Sequence, residues 1–138
     1  MTMDCIFCRI ANGEIQSYKV YEDDCFIAIL DISQATKGHT LLIPKQHFAN
    51  VYEIDEEIIA RIFKKIPEIA KAIKKAFNPI GLNILINTDK PLQSVFHFHV
   101  HLIPRYENDG VRMEFENNYG KLPAEEFLKI ADEIKKNL

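Results

Sequence analysis

Three of the chain's five histidines fall in one seven-residue run, His97-Phe98-His99-Val100-His101-Leu102-Ile103. Imidazole and bulky apolar side chains alternate through it, the pattern of a half-buried β-strand. Residues two apart on a strand point the same way, which assigns Phe98, Val100 and Leu102 to a core and His97, His99 and His101 to one site. A neutral imidazole can act as a nucleophile, a proton donor or a metal ligand, and histidine titrates near neutral pH. Successive same-face positions lie about 6.6 Å apart, which separates His97 from His101 by roughly 13 Å. Zinc–nitrogen bonds are only about 2.0–2.1 Å long, so one ion reaches one or two of these rings and not all three. The spacing fits divided labour, with one ring on a metal and the next two on an elongated substrate. The competing reading is a solvated histidine face.

A second group of chemically able residues is Cys5-Ile6-Phe7-Cys8. A C-x-x-C can be a redox dithiol or half of a zinc site. Redox pairs sit between a strand and a helix, and no strand precedes Cys5. A zinc site needs two more ligands, and His47 and His97 are candidates, with His39 competing with His47. Inert thiols are the alternative.

The elements that position these groups belong to a chain of 138 residues, 47% apolar, which fits one packed domain spanning residues 1–138. Seventeen basic and 20 acidic residues give a net charge of −3, against an extended nucleic-acid footprint, which needs a basic face. Small anionic ligands need only a few local donors and remain open. No apolar run is long enough for a membrane span. The start, Met1-Thr2-Met3-Asp4, lacks a signal-peptide pattern, so a cytoplasmic location is expected. In that reducing compartment the three cysteines are not a disulfide framework.

Alternation predicts strands at 18–22, 26–30 and 39–43, the last ended by Pro44. Turns are expected at Asn12-Gly13 and Asp23-Asp24, and a polar loop at 31–38. Ile59, Ile62, Phe63, Ile66, Ile69, Ala70, Ile73 and Phe77 recur at helical spacing and predict a long helix. Asp55, Glu56 and Glu57 sit at its start and Lys71, Lys74 and Lys75 near its end, the order a helix dipole favours. Pro67 should kink it, and Asn78-Pro79 should end it. A fourth strand is predicted at 82–87, and the histidine run is the fifth. From Pro123, Phe127, Ile130, Ala131 and Ile134 share a helical face, giving a C-terminal helical tail over 123–138. Strands mostly in sequence, with one helix inserted before the fourth, predict an α+β fold on an antiparallel sheet.

Several segments together carry a family resemblance. They are Cys5-x-x-Cys8, Val20-Tyr21-Glu22-Asp23-Asp24, Leu30-Asp31-Ile32, Gly38-His39-Thr40, Ile43-Pro44-Lys45-Gln46-His47, Gln93-Ser94-Val95 and the run at 97–103. In order and spacing they resemble the histidine triad family over residues 4–106, most closely its small bacterial nucleotide hydrolases. The resemblance implies a homodimer in which two five-stranded antiparallel sheets join. It implies binding of purine nucleoside monophosphate units and cleavage at the α-phosphorus, often with an amine as leaving group. Carried onto this sequence, His99 is the nucleophile, and His101 and Ser94 contact the phosphate and leaving group. Asn87 and Gln93 line the same pocket, Asp31 holds the ribose hydroxyls, and Ile6, Phe7, Ile10, Ile29 and Ile32 form the base slot. Cys5, Cys8, His47 and His97 fall on the zinc positions, and His39 on a position whose role looks structural. One departure stands out. Family members carry a glycine-rich loop ending in Gly-Gln, whereas this chain has Thr88-Asp89-Lys90-Pro91-Leu92-Gln93. Leucine lacks glycine's backbone freedom and Pro91 lacks an N–H, so Lys90 is a candidate replacement donor.

The expected chemistry is covalent catalysis, which divides one displacement into two through a nucleotidyl-His99 intermediate. An imidazole is largely neutral at pH 7, and a backbone carbonyl can hold its proton on the nitrogen facing away. Four protein ligands make the zinc structural, and without a phosphate-clamping Walker loop no Mg²⁺ requirement is expected. Two other readings share these residues: a nucleotide-binding interaction module with little catalysis, suggested by the Pro91-Leu92 loop, and a dinucleoside polyphosphate hydrolase. Among the remaining residues, Cys25 is expected to be small and buried, and Arg105 to pair with a carboxylate near the sheet end.

Overall fold

The computed structural model describes residues 4–138; Met1, Thr2 and Met3, part of the start read above, lie outside the described residues. In chain order its elements are α1 (Ile6–Ala11), β1 (Lys19–Glu22), β2 (Phe26–Leu30), β3 (Thr40–Pro44), α2 (Glu56–Phe77), β4 (Gly81–Leu85), β5 (Val100–Arg105) and α3 (Ala124–Lys136). The strands form one five-stranded antiparallel sheet in the order β1-β2-β3-β5-β4. The α+β architecture, with a long helix before the fourth strand and a helix at the C-terminal end, follows the sequence pattern.

The pleat sends alternate residues to two different layers. Phe26, Ala28, Leu42, Phe98, Val100 and Leu102 meet Ile62, Ile66, Ile69 and Ile73 of α2 on one face. Ile27, Ile29, Leu41 and Ile43 meet Phe7 and Ile10 of α1 on the other. Asp55 caps α2 by accepting hydrogen bonds from the N–H groups of Glu57 and Ile58 at 2.9 and 3.2 Å. Asn78 closes it in the left-handed conformation at φ 48°. Gly38 (φ +94°) lets the chain pass the end of α2, since a Cβ there would lie 3.1 Å from the Phe77 ring.

Several boundaries differ from the sequence reading. α1 is a six-residue helix where only the turn after it was expected, because too few residues show a periodicity. The regular part of the histidine strand begins at Val100, so His97, Phe98 and His99 precede it. The Phe98 N–H bonds to the Phe48 carbonyl at 2.6 Å rather than to a sheet ladder. Phe98, Val100 and Leu102 still join the α2-side core, each at most 1% exposed. β4 ends at Leu85, before Ile86 and Asn87. α2 is continuous through Pro67, and Phe63, whose carbonyl loses an intrahelical partner there, lies on the outer side at 40% exposure. The apolar side chains of α3 stay largely exposed, since none of its residues is buried. Among the described residues, no helix is long and apolar enough to cross a membrane.

Phe98 anchors the segment between two site histidines in the α2-side core. Phe98→Ala is expected to lower stability by about 3–5 kcal/mol in urea unfolding monitored by far-UV circular dichroism.

Candidate active site and metal-binding cluster

Cys5, at the start of α1, accepts a hydrogen bond from the Cys8 N–H with its Sγ at 3.4 Å. This brings both sulfurs to one end of the helix. His47 follows β3, and His97 precedes β5. His97 Nε2–H donates to the Pro44 carbonyl at 2.8 Å, which leaves Nδ1 as the lone-pair nitrogen of the neutral ring. That Nδ1 lies 3.3 Å from Cys5 Sγ, 3.5 Å from Cys8 Sγ and 3.1 Å from His47 Nδ1. His47 Nδ1 is 3.3 Å from Cys8 Sγ, and all four donor atoms lie within 4.8 Å of one another. Zinc bonds of about 2.0 Å to nitrogen and 2.3 Å to sulfur at tetrahedral angles give ligand–ligand edges of roughly 3.3–3.8 Å, close to this arrangement. Burial pushes the His97 pKa down to about 4, so its ring stays neutral as a ligand must. The four residues therefore could hold a metal ion, with donors and spacing near those of a tetrahedral site.

The backbone carbonyl of the same His97 sets the next ring. It accepts from His99 Nδ1–H at 2.7 Å, leaving the lone pair of the neutral His99 ring on Nε2. Burial depresses the His99 pKa below its ordinary value, partly offset by that hydrogen bond. Phe7 packs edge-on against His99 at 4.9 Å between ring centres.

His101 is oriented by a residue the sequence reading set aside. The Ala35 N–H donates to His39 Nδ1 at 3.2 Å, so the neutral His39 ring carries its proton on Nε2. His39 Nε2–H then donates to His101 Nδ1 at 2.9 Å, and His101 is left with its proton on Nε2. Burial keeps both rings neutral, pulling His101 down to about 4 and lowering His39. Asp31 Oδ2 is 3.6 Å from His39 Nε2, too far for a hydrogen bond. Burial opposes ionisation of Asp31, but the Ser33 hydroxyl and N–H hold its pKa below the usual value. The local sequence pattern carries no signal for this role of His39, which the sheet register creates. His39 and Leu41 are two apart, and Leu41 is the cross-strand partner of His101, so both histidines share a face.

His99 and His101 open into a cavity of about 340 Å³. Of the residues expected there, Ile6, Phe7, Ile10, Ile29, Asp31, Ile32 and Ser94 line it. Asn87 and Gln93 are not among its lining residues. Gln93 is buried and bound to the backbone: Oε1 accepts from the Asp89 N–H at 2.7 Å, and Nε2 donates to the carbonyls of Ala49 and Val95 at 2.7 and 3.1 Å. Asn87 is half-buried beyond β4. The loop lacks glycine, and Asp89 takes the positive φ (57°) instead, held by Asn50 Nδ2–H at 3.0 Å. Lys90 is exposed and does not line the cavity. Arg105 pairs with Asp109 at 2.7 Å, and Cys25 is buried, both as the sequence suggested.

A family model described as the HIT domain matches residues 12–108. The chain belongs to the HIT, or histidine triad, family. It is 49% identical over 137 residues to "Protein hit" of Bacillus subtilis, covering 98% of this chain and 94% of that protein. It is 39% identical to the adenosine 5'-monophosphoramidase hnt1 of Schizosaccharomyces pombe, covering 75% of each chain. It is 41% identical to the adenylylsulfatase HINT3 of Arabidopsis thaliana over 77% of this chain and 54% of that one. A crystal structure of a HIT family protein from Bacillus anthracis superposes with a TM-score of 0.95 at 47% identity, covering 100% of this chain and 99% of that one. A zinc-bound histidine triad protein from Mycobacterium smegmatis gives 0.74 at 36% identity, covering 86% and 87%. These HIT relatives include named nucleotide hydrolases, and one solved member holds zinc.

Removing the buried Gln93 amide should release the loop. Gln93→Ala is expected to speed hydrogen exchange at the Asp89 amide by about tenfold or more, since unmaking buried hydrogen bonds costs about 1–3 kcal/mol.

Proposed function

We propose that the protein is a nucleotide hydrolase that cleaves nucleoside phosphoramidates at the α-phosphorus through a nucleotidyl-His99 intermediate. The observation that carries this reading is the fixed proton arrangement. His99 keeps its proton on the His97 carbonyl and a free lone pair on Nε2, while His101 holds a proton on Nε2 beside it. In the first step His99 Nε2 attacks phosphorus, the P–N bond to the amine breaks, and Ser94, exposed at the cavity mouth, relays a solvent proton to the leaving amine. His101 Nε2–H bonds a non-bridging oxygen as charge develops there. Water then attacks the phosphorus, the P–Nε2 bond breaks and the proton that the water loses returns to solvent through Ser94, which releases the nucleoside monophosphate and restores neutral His99 with its proton on Nδ1. Asp31, ionised and at the sheet end of the cavity, takes the ribose hydroxyls, and the apolar residues around Phe7 take the base.

The names of the HIT relatives support this chemistry, and their different leaving groups, amine and sulfate, bear on which bond is cut here. The glycine-free loop favours a second reading, a nucleotide-binding module with slow turnover, because Pro91 has no N–H to offer a phosphate and Leu92 lacks glycine's backbone freedom. Dinucleoside polyphosphates would differ only in leaving group. A single-turnover mass spectrum with adenosine phosphoramidates separates these readings. An adenylyl adduct on His99 and loss of turnover in His99→Ala, with AMP affinity kept within about tenfold, are expected. Turnover retained by His99→Ala rejects the mechanism, and binding without any adduct or product favours the module.

We further propose that Cys5, Cys8, His47 and His97 hold a structural zinc ion. It would fasten α1, which forms one wall of the cavity, to the segment carrying His99, with no position left for a reactive water. Thiols that must stay reduced fit a cytoplasmic location. A homodimer is supported by α3, a short amphipathic helix without a buried residue, since so short a helix is marginal without packing. The exposed Ile84 on the open edge strand β4 supports it too. Native mass spectrometry is expected to show a dimer with one zinc ion per subunit, with zinc lost in Cys5→Ser. A metal-free, fully active protein as isolated refutes the zinc assignment, and a monomer refutes the dimer.

A further inference from the structure

The register of the sheet orders the cavity from one end to the other. His101 on β5 pairs with Leu41 on β3, Leu41 with Ile29 on β2, and Ile29 with Lys19 on β1. His101, Leu41 and Ile29 all line the cavity and form a single row across the strands. Three interstrand steps of about 4.8 Å carry that row roughly 14 Å from the catalytic strand to β1. Asp31 lies part-way, at the end of β2. At the far end the lining is supplied by Ile15, Gln16, Ser17 and Tyr18. This stretch is pinned at both ends. The Glu14 N–H bonds the Arg9 carbonyl at 2.9 Å, and the Tyr18 carbonyl accepts from the Leu30 N–H at 2.9 Å.

With the phosphate at the histidines and the ribose at Asp31, the base reaches the far end edge-first. The walls before it are mostly apolar, and besides the Tyr18 hydroxyl the polar side chains met there are Gln16 and Ser17. Among the described residues neither side chain makes a hydrogen bond within the chain, so both are free to bind a ligand. We propose that Gln16, assisted by Ser17, reads the 6-position edge of a purine base. A carboxamide carries both a donor and an acceptor and can turn over, so it serves a 6-amino or a 6-oxo purine alike. A pyrimidine, shorter by one fused ring, stops short of it. This specificity element rests on the nucleotide reading above.

Calorimetric titration of the full chain with AMP, IMP and purine riboside 5'-monophosphate, which has hydrogen at position 6, tests it. AMP and IMP are expected to bind about five- to tenfold tighter than the unsubstituted analogue, the size of one net hydrogen bond. Gln16→Ala should bring all three within about twofold. Gln16→Glu, which can only accept, should keep AMP and weaken IMP by about fivefold or more. Gln16 is exposed, so neither variant threatens the fold. A gap unmoved by Gln16→Ala, or no gap in the parent protein, overturns the assignment while leaving nucleotide binding intact. If none of the three nucleotides binds at millimolar concentration, the nucleotide reading falls and the base assignment with it.

Discussion

His97 makes the connections on which the rest of the site depends. Its Nε2–H grips the Pro44 carbonyl at the end of β3, its Nδ1 meets two sulfurs and a second imidazole, and its carbonyl fixes the proton of His99. The ring is fully buried, so each of these partners is needed: an unsatisfied polar atom there would be costly. One residue thereby joins the sheet, the first helix and the neighbouring imidazole. Its side chain does not face the cavity, yet it decides which nitrogen of His99 does. The hydrogen-bonded chain through Ala35, His39 and His101 does the corresponding work from the opposite side. Two adjacent rings are set in opposite tautomers, one by a backbone carbonyl and the other through the His39 ring, with no charged partner in hydrogen-bond contact with either.

The sequence exposed the parts of this arrangement that obey a short period. Alternation at 97–103 named the core residues Phe98, Val100 and Leu102 as well as the site histidines, although regular pairing starts only at Val100. The isoleucine stripe from 59 to 73 located α2 because 22 residues give the helical period room to show. α1 has six, and its apolar residues are shared between core and cavity, so no stripe forms. His39 escaped for a different reason. Its importance lies in a contact 62 positions away, and cross-strand register, not local pattern, creates it. Gln93 and Asn87 show the limit of reasoning by resemblance, which places a residue near a site without telling which way its side chain turns. Gln93 turns inward, to three backbone partners.

The loop before the histidines shows how one local rule can be met by other means. Glycine is the usual residue where the backbone must take a positive φ. Here Asp89 adopts it, and the side chains of Asn50 and Gln93 hold the turn from outside. A flexible hinge is exchanged for a braced one. The bracing runs to residues 49 and 50, in the connection after β3, so the loop's position is set by a distant segment rather than by its own backbone.

The two faces of the sheet divide the chain's obligations. The α2 layer is a closed hydrocarbon interior, whereas the α1 layer includes the walls of an open cleft. Because successive side chains point to opposite layers, a substitution at Ile29 or Leu41 alters the cleft while Ala28 and Leu42, its immediate neighbours, keep the interior intact. The cleft can thus be reshaped over generations while the α2 layer stays as it is, and the near-complete burial of Ile29 and Leu41 confines that drift to side chains of similar volume.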